Sequence, residues 1–323
     1  MSDRLRRAVG SAAVRRCGYA LLVVLGVNIV VFFGVAALPG DAATQAAGSA
    51  SYTRVDDLRI EFGLDKPVWE RYLQWWRGVF DGTLGTSLPG QQPVAQLIGE
   101  PLVRSLILAG IAALIAVVVG LGAGISAGFR PGSVTDRIIS GAALVLISSP
   151  EFVVATVAIL VFAYQLDWLP AVSLVPVGGN VLSAPQILVL PALCLGLYAA
   201  GSMARLVRAA VRVAADSPHV DAAVLAGLPT AAVLGRHVLP SAWGPIAQVG
   251  AQVVPYLIGG AVVIERVFGY PGIGSLLVDR IAARDEATVL TVVTLLAAVS
   301  VTAYVAADAV VAHYDRRSVG VVS

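Results

Sequence analysis

Six apolar runs of about 20 residues or more divide this chain, and no other feature constrains its fold so tightly. A helix rises about 1.5 Å per residue and the hydrocarbon core of a bilayer is roughly 30 Å thick, so ~20 apolar residues suffice to cross it. The runs extend approximately from Cys17 to Leu38, Leu102 to Phe129, Ile138 to Leu166, Gln186 to Val207, Trp243 to Val267 and Ala287 to Ala312. Only 13% of the 323 residues are charged, against 58% hydrophobic, which leaves too few charges to coat a water-soluble domain. The expectation is an all-α membrane protein with about six transmembrane helices.

Arginine placement orients those spans through the positive-inside rule. Arg4, Arg6, Arg7, Arg15 and Arg16 precede the first run, and Arg316 and Arg317 follow the last. Arg130 and Arg137 fall between runs 2 and 3, and Arg208, Arg212 and Arg236 between runs 4 and 5. All these segments fall on one side, so both termini are expected in the cytoplasm. The segment between runs 3 and 4 carries no Lys or Arg, as an outer loop should. Arg280 and Arg284 break the pattern on the outer side, accompanied by Asp279, Asp285 and Glu286. The basic start also fits a cleaved signal peptide, but its apolar run is longer than the usual 7–15 residues, so a retained helix is expected. Cys17 and Cys194 fall at different membrane depths, too far apart for a disulfide.

Two polar segments are long enough to form structure of their own. Pro39 to Pro101 should lie outside, with a helix capped by Thr53 or Asp56 and another opened by Pro67. Trp69, Tyr72, Trp75 and Trp76 give the second helix an aromatic face suited to packing or to the membrane interface. Arg208 to Ala242 should lie inside. There Ser217 is placed to cap a short helix with Pro218 at its first position and Asp221 near the positive end of the dipole. Gly227 ends that helix, and a second stretch runs from Pro229 to just before Pro240. Pro150, Pro191 and Pro255 should bend the spans that contain them.

Nucleotide-binding and metal-binding patterns are missing. The sole lysine, Lys66, is not preceded by glycine, so no Walker A loop exists. His219, His237 and His313 lack metal-ligand spacing. No paired intramembrane aspartate suggests a protease. The chain is therefore expected to be no enzyme, with no catalytic residue and no metal. Asp308, inside the last run, is an intramembrane acid close enough to the inner end to pair with an arginine there.

The stretch Asp221-Ala222-Ala223, with Gly227 after three residues and His237-Val238-Leu239-Pro240 after nine more, resembles the EAA motif of binding-protein-dependent ABC importer permeases. Further motifs are similar, in order and spacing, to the B-type permeases of dipeptide, oligopeptide and nickel importers. Before residue 101 these are Leu38-Pro39-Gly40-Asp41, Phe62 to Pro67, Gly82 to Ser87 and Gln92-Pro93-Val94. Trp168-Leu169-Pro170, Val263 to Phe268 and Tyr270 to Gly274 follow. Asp221 stands where Glu is common, and Thr83 where Asp is usual. The C-type hallmark His-Pro-Phe-Gly-Thr-Asp is missing.

The resemblance implies a type I ABC importer permease fold in the plasma membrane: a first helix and outer segment over 1–100, a core bundle over 101–314 with a coupling helix near 216–240, and a cytoplasmic tail over 315–323. It implies that Asp221, Ala222, Ala223, Gly227, Leu239 and Pro240 couple the chain to an ATPase. Trp168, Glu265 and Arg266 become candidates for an outer gate or a binding-protein contact. The implied partners are a C-type permease, two ABC ATPase subunits that hold ATP and Mg, and an extracytoplasmic substrate-binding protein, with membrane lipid around the chain and no nucleic acid. The implied cargo is a di- or oligopeptide or related small solute. A self-sufficient ion-coupled secondary transporter is the main alternative; it should show repeated broken helices and several intramembrane charges.

Overall fold

The computed structural model describes residues 3–48, 52–175 and 180–319. Side chains of residues 3–14, 16, 17, 52, 53, 307 and 309–319 lie outside the description, and with them Arg4, Arg6, Arg7, Arg16, Cys17, Thr53, His313, Arg316 and Arg317. In chain order the helices are α1 (Asp3–Ala36), α2 (Ala42–Ala47), α3 (Tyr52–Glu61), α4 (Val68–Phe80), α5 (Val94–Phe129), α6 (Val134–Ser148) and α7 (Glu151–Ala158). They continue as α8 (Gln186–Ala215), α9 (Pro218–Leu225), α10 (Thr230–Val233), α11 (Leu239–Phe268), α12 (Ile273–Ala282) and α13 (Glu286–Val319). Wide π turns follow α7 over Ile159–Gln165 and α10 over Leu234–Val238. The only strand-like pairing among the described residues is one isolated bridge, Thr86 to Pro93.

Five helical stretches among the described residues are long and apolar enough to cross a membrane: Gly18–Ala36, Val94–Phe129, Gln186–Ala215, Thr230–Phe268 and Glu286–Ala306. The count reaches six when α6 and the helix after Pro150, which meet at 106°, are taken together as one broken span. Proline removes an amide donor and pushes the preceding residue out of the helical region; Ser149 is accordingly extended at φ −92° and ψ 135°. Pro150 thus ends one helix and starts the next, whereas Pro191 and Pro255 sit inside continuous α8 and α11. Pro240 does not end a helix either. The π turn before it carries an amide of Leu239 to the Leu234 carbonyl, so the missing Pro240 donor falls in the first turn of α11, where helices tolerate it.

The chain forms two compact units, residues 1–105 with 271–301 and residues 106–270 with 302–323. In the first, α4 turns its aromatic face onto α1 and α13: Trp75 is buried with Phe32 and Leu290, and its indole N–H donates to Thr291 Oγ1 at 3.1 Å. Trp69, on the same periodicity, is exposed. Asn28, buried in the middle of α1, accepts from the Tyr72 hydroxyl (2.8 Å) and donates to Thr294 (2.6 Å), as a polar group in an apolar span must. Two of the outer acids that accompany the arginines breaking the charge rule have charged partners here, and Arg284 donates to the Ile281 and Pro39 carbonyls. Asp285, fully buried, accepts from Ser87 and Thr288 at 2.5 and 2.6 Å and lies 3.9 Å from Arg280, and Glu286 lies 3.0 Å from Arg71.

Asp41 builds a reciprocal cap on α2: its Oδ1 accepts the Thr44 amide (2.8 Å) while Thr44 Oγ1 accepts the Asp41 amide (3.0 Å). Arg59 donates to the other carboxylate oxygen at 2.7 Å. Burial pushes the Asp41 carboxyl up, but the Thr44 amide and the Arg59 guanidinium outweigh it and hold the group below its ordinary range.

The core of the second unit is α8, which is buried along most of its length against α11, α6 and α5. Glycines decide how closely α5 approaches. Gly120, Gly124 and Gly128 recur every fourth residue on one face, and a Cβ added to them would lie 2.9, 2.7 and 2.9 Å from the Cβ atoms of Met203, Val207 and Val211. Gly196 of α8 answers in kind, 2.8 Å from Ile115. Without a hydrophobic drive in lipid, such close packing of small residues is what holds helices together.

Candidate functional site

The segment between α8 and α11 is a short helix, a tight turn and a second helix. Ser217 occupies the position before α9 with extended backbone but does not cap it as its sequence position predicts; its hydroxyl donates to the Ala214 carbonyl at 2.6 Å. The end of α8 has orphan carbonyls to satisfy, while Pro218 has already removed one donor from the start of α9. Gly227 has φ +75°, and the amides of Gly227 and Leu228 reach back to the Val224 and Ala223 carbonyls. This double closure needs a left-handed residue, hence glycine.

Val220, Ala223, Val233 and Val238 are buried inside the segment. His219 holds α9 to the π turn, with Nε2 at 3.3 Å from both the His237 carbonyl and Ser241 Oγ. The outer surface is apolar at its tip: Leu225 is 88% exposed, with Val224 and Leu228 beside it. Asp221 and Ala222 are exposed on α9, while Ala223 faces inward. Leu239 and Pro240 lie across the π turn in the first turn of α11.

The three outer candidates separate by exposure. Trp168 is 69% exposed, resting on Phe162 with ring centroids 6.2 Å apart. Arg266 is exposed on the last turn of α11, whereas the side chain of its neighbour Glu265 is fully buried. The loop carrying Trp168 is tied to the end of α11, since the Ser173 amide donates to the Phe268 carbonyl at 2.8 Å. Gly269 closes α11 at φ +62°, and a Cβ there would sit 3.1 Å from Val172. Asp308 is exposed on α13, about three turns before its end.

At the α6–α7 break, Glu151 accepts from the Tyr256 hydroxyl, and its second oxygen has no hydrogen-bond partner among the described residues. Asp136, at the start of α6, accepts two bonds from Arg208 (2.5 and 2.9 Å), one from the Gly132 amide (2.9 Å) and one from Ser140 (3.1 Å). Sequence reasoning passed over the Asp136–Arg208 and Glu151–Tyr256 pairs, whose members are far apart in the chain. The glycine stripe of α5 carried a readable signal in its four-residue spacing. No group of three or more His, Cys, Asp or Glu side chains among the described residues could hold a metal ion.

The segment is thus an exposed apolar turn between two long apolar helices. Comparison with known families places the chain. Residues 120–319 match the binding-protein-dependent transport system inner membrane component family, and residues 11–98 match the N-terminal part of such membrane components. The chain belongs to this family. It is a permease of the ABC importer type, a multi-pass inner membrane protein and not an enzyme. A Brucella suis biovar 1 (strain 1330) protein named as a peptide transport system permease is 35% identical over 310 residues, 94% of this chain and 98% of the relative. A peptide ABC transporter permease protein by name, from Sinorhizobium fredii, is 30% identical over 89% of this chain and 92% of its own. The glutathione transport system permease protein of Escherichia coli K12 is 30% identical over 80% and 82%. As a permease of such a system the chain works with an ATPase and a binding protein. The family match does not favour a self-sufficient secondary transporter.

Proposed function

We propose that this chain is the B-type permease subunit of an importer for di- or oligopeptides or related small solutes. It pairs with a C-type permease so that the two core bundles enclose one path, and two ABC ATPase subunits, which bind ATP and Mg, drive it. An extracytoplasmic binding protein delivers the cargo. The names of the Brucella and Escherichia relatives support a peptide substrate, glutathione being itself a short peptide. Both termini and the α9–α10 segment face the cytosol, a reading supported by the distribution of arginine.

The observation that carries the reading is the exposed tip of Val224, Leu225 and Leu228 around the Gly227 turn. Large apolar side chains on a polar side of the membrane mark an interface. Asp221 adds a charge on the same helix, and Leu239 and Pro240 anchor the far end to α11. ATP acts by favouring one arrangement of the assembly over another; without that difference in affinity no transport follows. On the outer side, Trp168 and Arg266 are accessible to a binding protein, and Glu265 shapes the buried end of α11 beneath them.

The test is the reconstituted transporter carrying Leu225→Asp or Gly227→Trp in this subunit. Both variants should leave the paired permeases in the membrane and abolish stimulation of ATP hydrolysis by loaded binding protein. Unchanged stimulation in both would refute the coupling assignment.

A further inference from the structure

A cavity of about 520 Å³ opens between the end of α5, the start of α6 and α10. Its polar wall holds Arg130, Thr135 and Thr230. No side chain or backbone group among the described residues pairs with the Arg130 guanidinium or with either threonine hydroxyl. The acid nearest in sequence, Asp136, is already saturated by Arg208, Gly132 and Ser140, so it does not neutralise Arg130. The opposite wall is apolar, made by Ile125, Phe129 and Leu234. From each wall an apolar track leads away: Val118 lies two turns from Ile125 on α5 and Ile138 about one turn from Thr135 on α6, and both are exposed.

We propose that this cavity binds one anionic phospholipid of the adjoining leaflet, with the phosphodiester on Arg130, Thr135 and Thr230 and the acyl chains along Val118 and Ile138. An unpaired arginine with two free hydroxyl donors selects a phosphate oxygen. A soluble phosphate would leave Ile125, Phe129 and Leu234 in water, whereas a lipid covers them. The lining contains no carboxylate to receive an ammonium headgroup, which favours a net anionic lipid over a zwitterionic one. Basic pockets between transmembrane helices are used in this way elsewhere. Because Thr230 and Leu234 belong to the segment proposed to dock the ATPase, the bound lipid braces that segment against α5 and α6. Assignment to the inner leaflet rests on the proposed orientation; the binding itself does not.

The experiment is native mass spectrometry of the full chain in non-ionic detergent, titrated with dioleoyl phosphatidylglycerol or dioleoyl phosphatidylcholine. The wild type should retain one phosphatidylglycerol in preference to phosphatidylcholine. Arg130→Gln should weaken that binding by about fivefold or more. Ala231→Trp, which fills the cavity and leaves every charge in place, should do the same and decides the matter if the arginine variant fails to fold. Arg137→Gln, which removes an exposed charge outside the cavity, should have no effect. Equal retention of the two lipids, equal loss in Arg137→Gln and Arg130→Gln, or displacement of the lipid by millimolar inorganic phosphate would each overturn the proposal. Labelling of a cysteine at position 137 from the two sides of the membrane, in a background without Cys17 and Cys194, tests the orientation separately.

Discussion

Tyr198 of α8 and Tyr256 of α11 stack face to face, 5.4 Å between centroids and 4° between planes, and each holds one side of the α6–α7 break. The Tyr198 hydroxyl donates to the Ile147 carbonyl at 3.1 Å, near the end of α6, and the Tyr256 hydroxyl donates to Glu151, at the start of α7. A helix end exposes carbonyls that need donors, and a carboxylate away from water needs them more. The sharp turn is thus held from outside by two side chains on two other helices.

Replacing Tyr256 with Phe should therefore destabilise the chain by about 1–3 kcal/mol, since Glu151 would lose the one hydroxyl it has. Tyr198→Phe should cost less, because a carbonyl is cheaper to leave unpaired than a carboxylate. Chemical unfolding in mixed micelles measures both, and the reverse order would disprove the account of the break.

Glycine spacing on α5 gives a comparison within one helix. Gly124→Ala places a methyl 2.7 Å from Val207 Cβ and 2.8 Å from the Ala204 carbonyl, whereas Gly122→Ala meets nothing within 4 Å. Overpacking of this kind costs about 1–3 kcal/mol, while alanine at an open helical site is favoured over glycine by roughly 0.5–1 kcal/mol. The two variants should move thermal stability in opposite directions, read from the loss of monodisperse protein on heating.

Asp136 and Arg208 form a charge pair in which the aspartate side chain is only 5% exposed. Asp136→Asn and Arg208→Gln should each be harmful, because each strands a charged or polar partner at a site built for the pair. The double variant should be less damaging than the sum of the singles. A double-mutant cycle on unfolding free energy checks this, and simple additivity would mean that the two groups do not interact.

The cap of α2 has a pH signature. Because the folded carboxyl of Asp41 titrates below its ordinary value, its contribution is present above the unfolded value of about 3.9 and is lost as pH falls through the lower, folded one. Asp41→Asn keeps the cap but removes the charge that Arg59 answers. Protection factors over Ala42–Ala47, which discount the intrinsic pH dependence of exchange, should fall in acid for the wild type, and that acid response should be absent in the variant.

What could be read from the chain follows from how local each cause is. Spans depend chiefly on apolar length, so five of the six runs appear as unbroken span-length helices and the third as a pair bent at Pro150. Pro150 was legible as a bend, but not its 106°, because the tyrosines that hold it are about 50 and 100 residues away. The Gly227 turn was legible from glycine alone. Ser217 misled, since whether a hydroxyl serves the helix after it or the one before it depends on which end lacks a partner. The periodicity of α4 gave an aromatic face but not its division, with Trp75 buried on Thr291 and Trp69 exposed. In the segment between α8 and α11, sequence placed Asp221, Ala222 and Gly227 together; that Leu225 would be its most prominent apolar residue depended on the closed turn.

The glycine stripe has a mechanical corollary. With no side chain on α5 to act as a bearing where Gly120, Gly124 and Gly128 meet α8, neither helix can slip along or roll over the other without driving a backbone atom into a β-carbon. On the proposed coupling, a push delivered to α9 would enter α8 at Ala215 and meet α5 as part of the same stiff strut, so the compliance of a transport stroke would have to come from somewhere other than this contact.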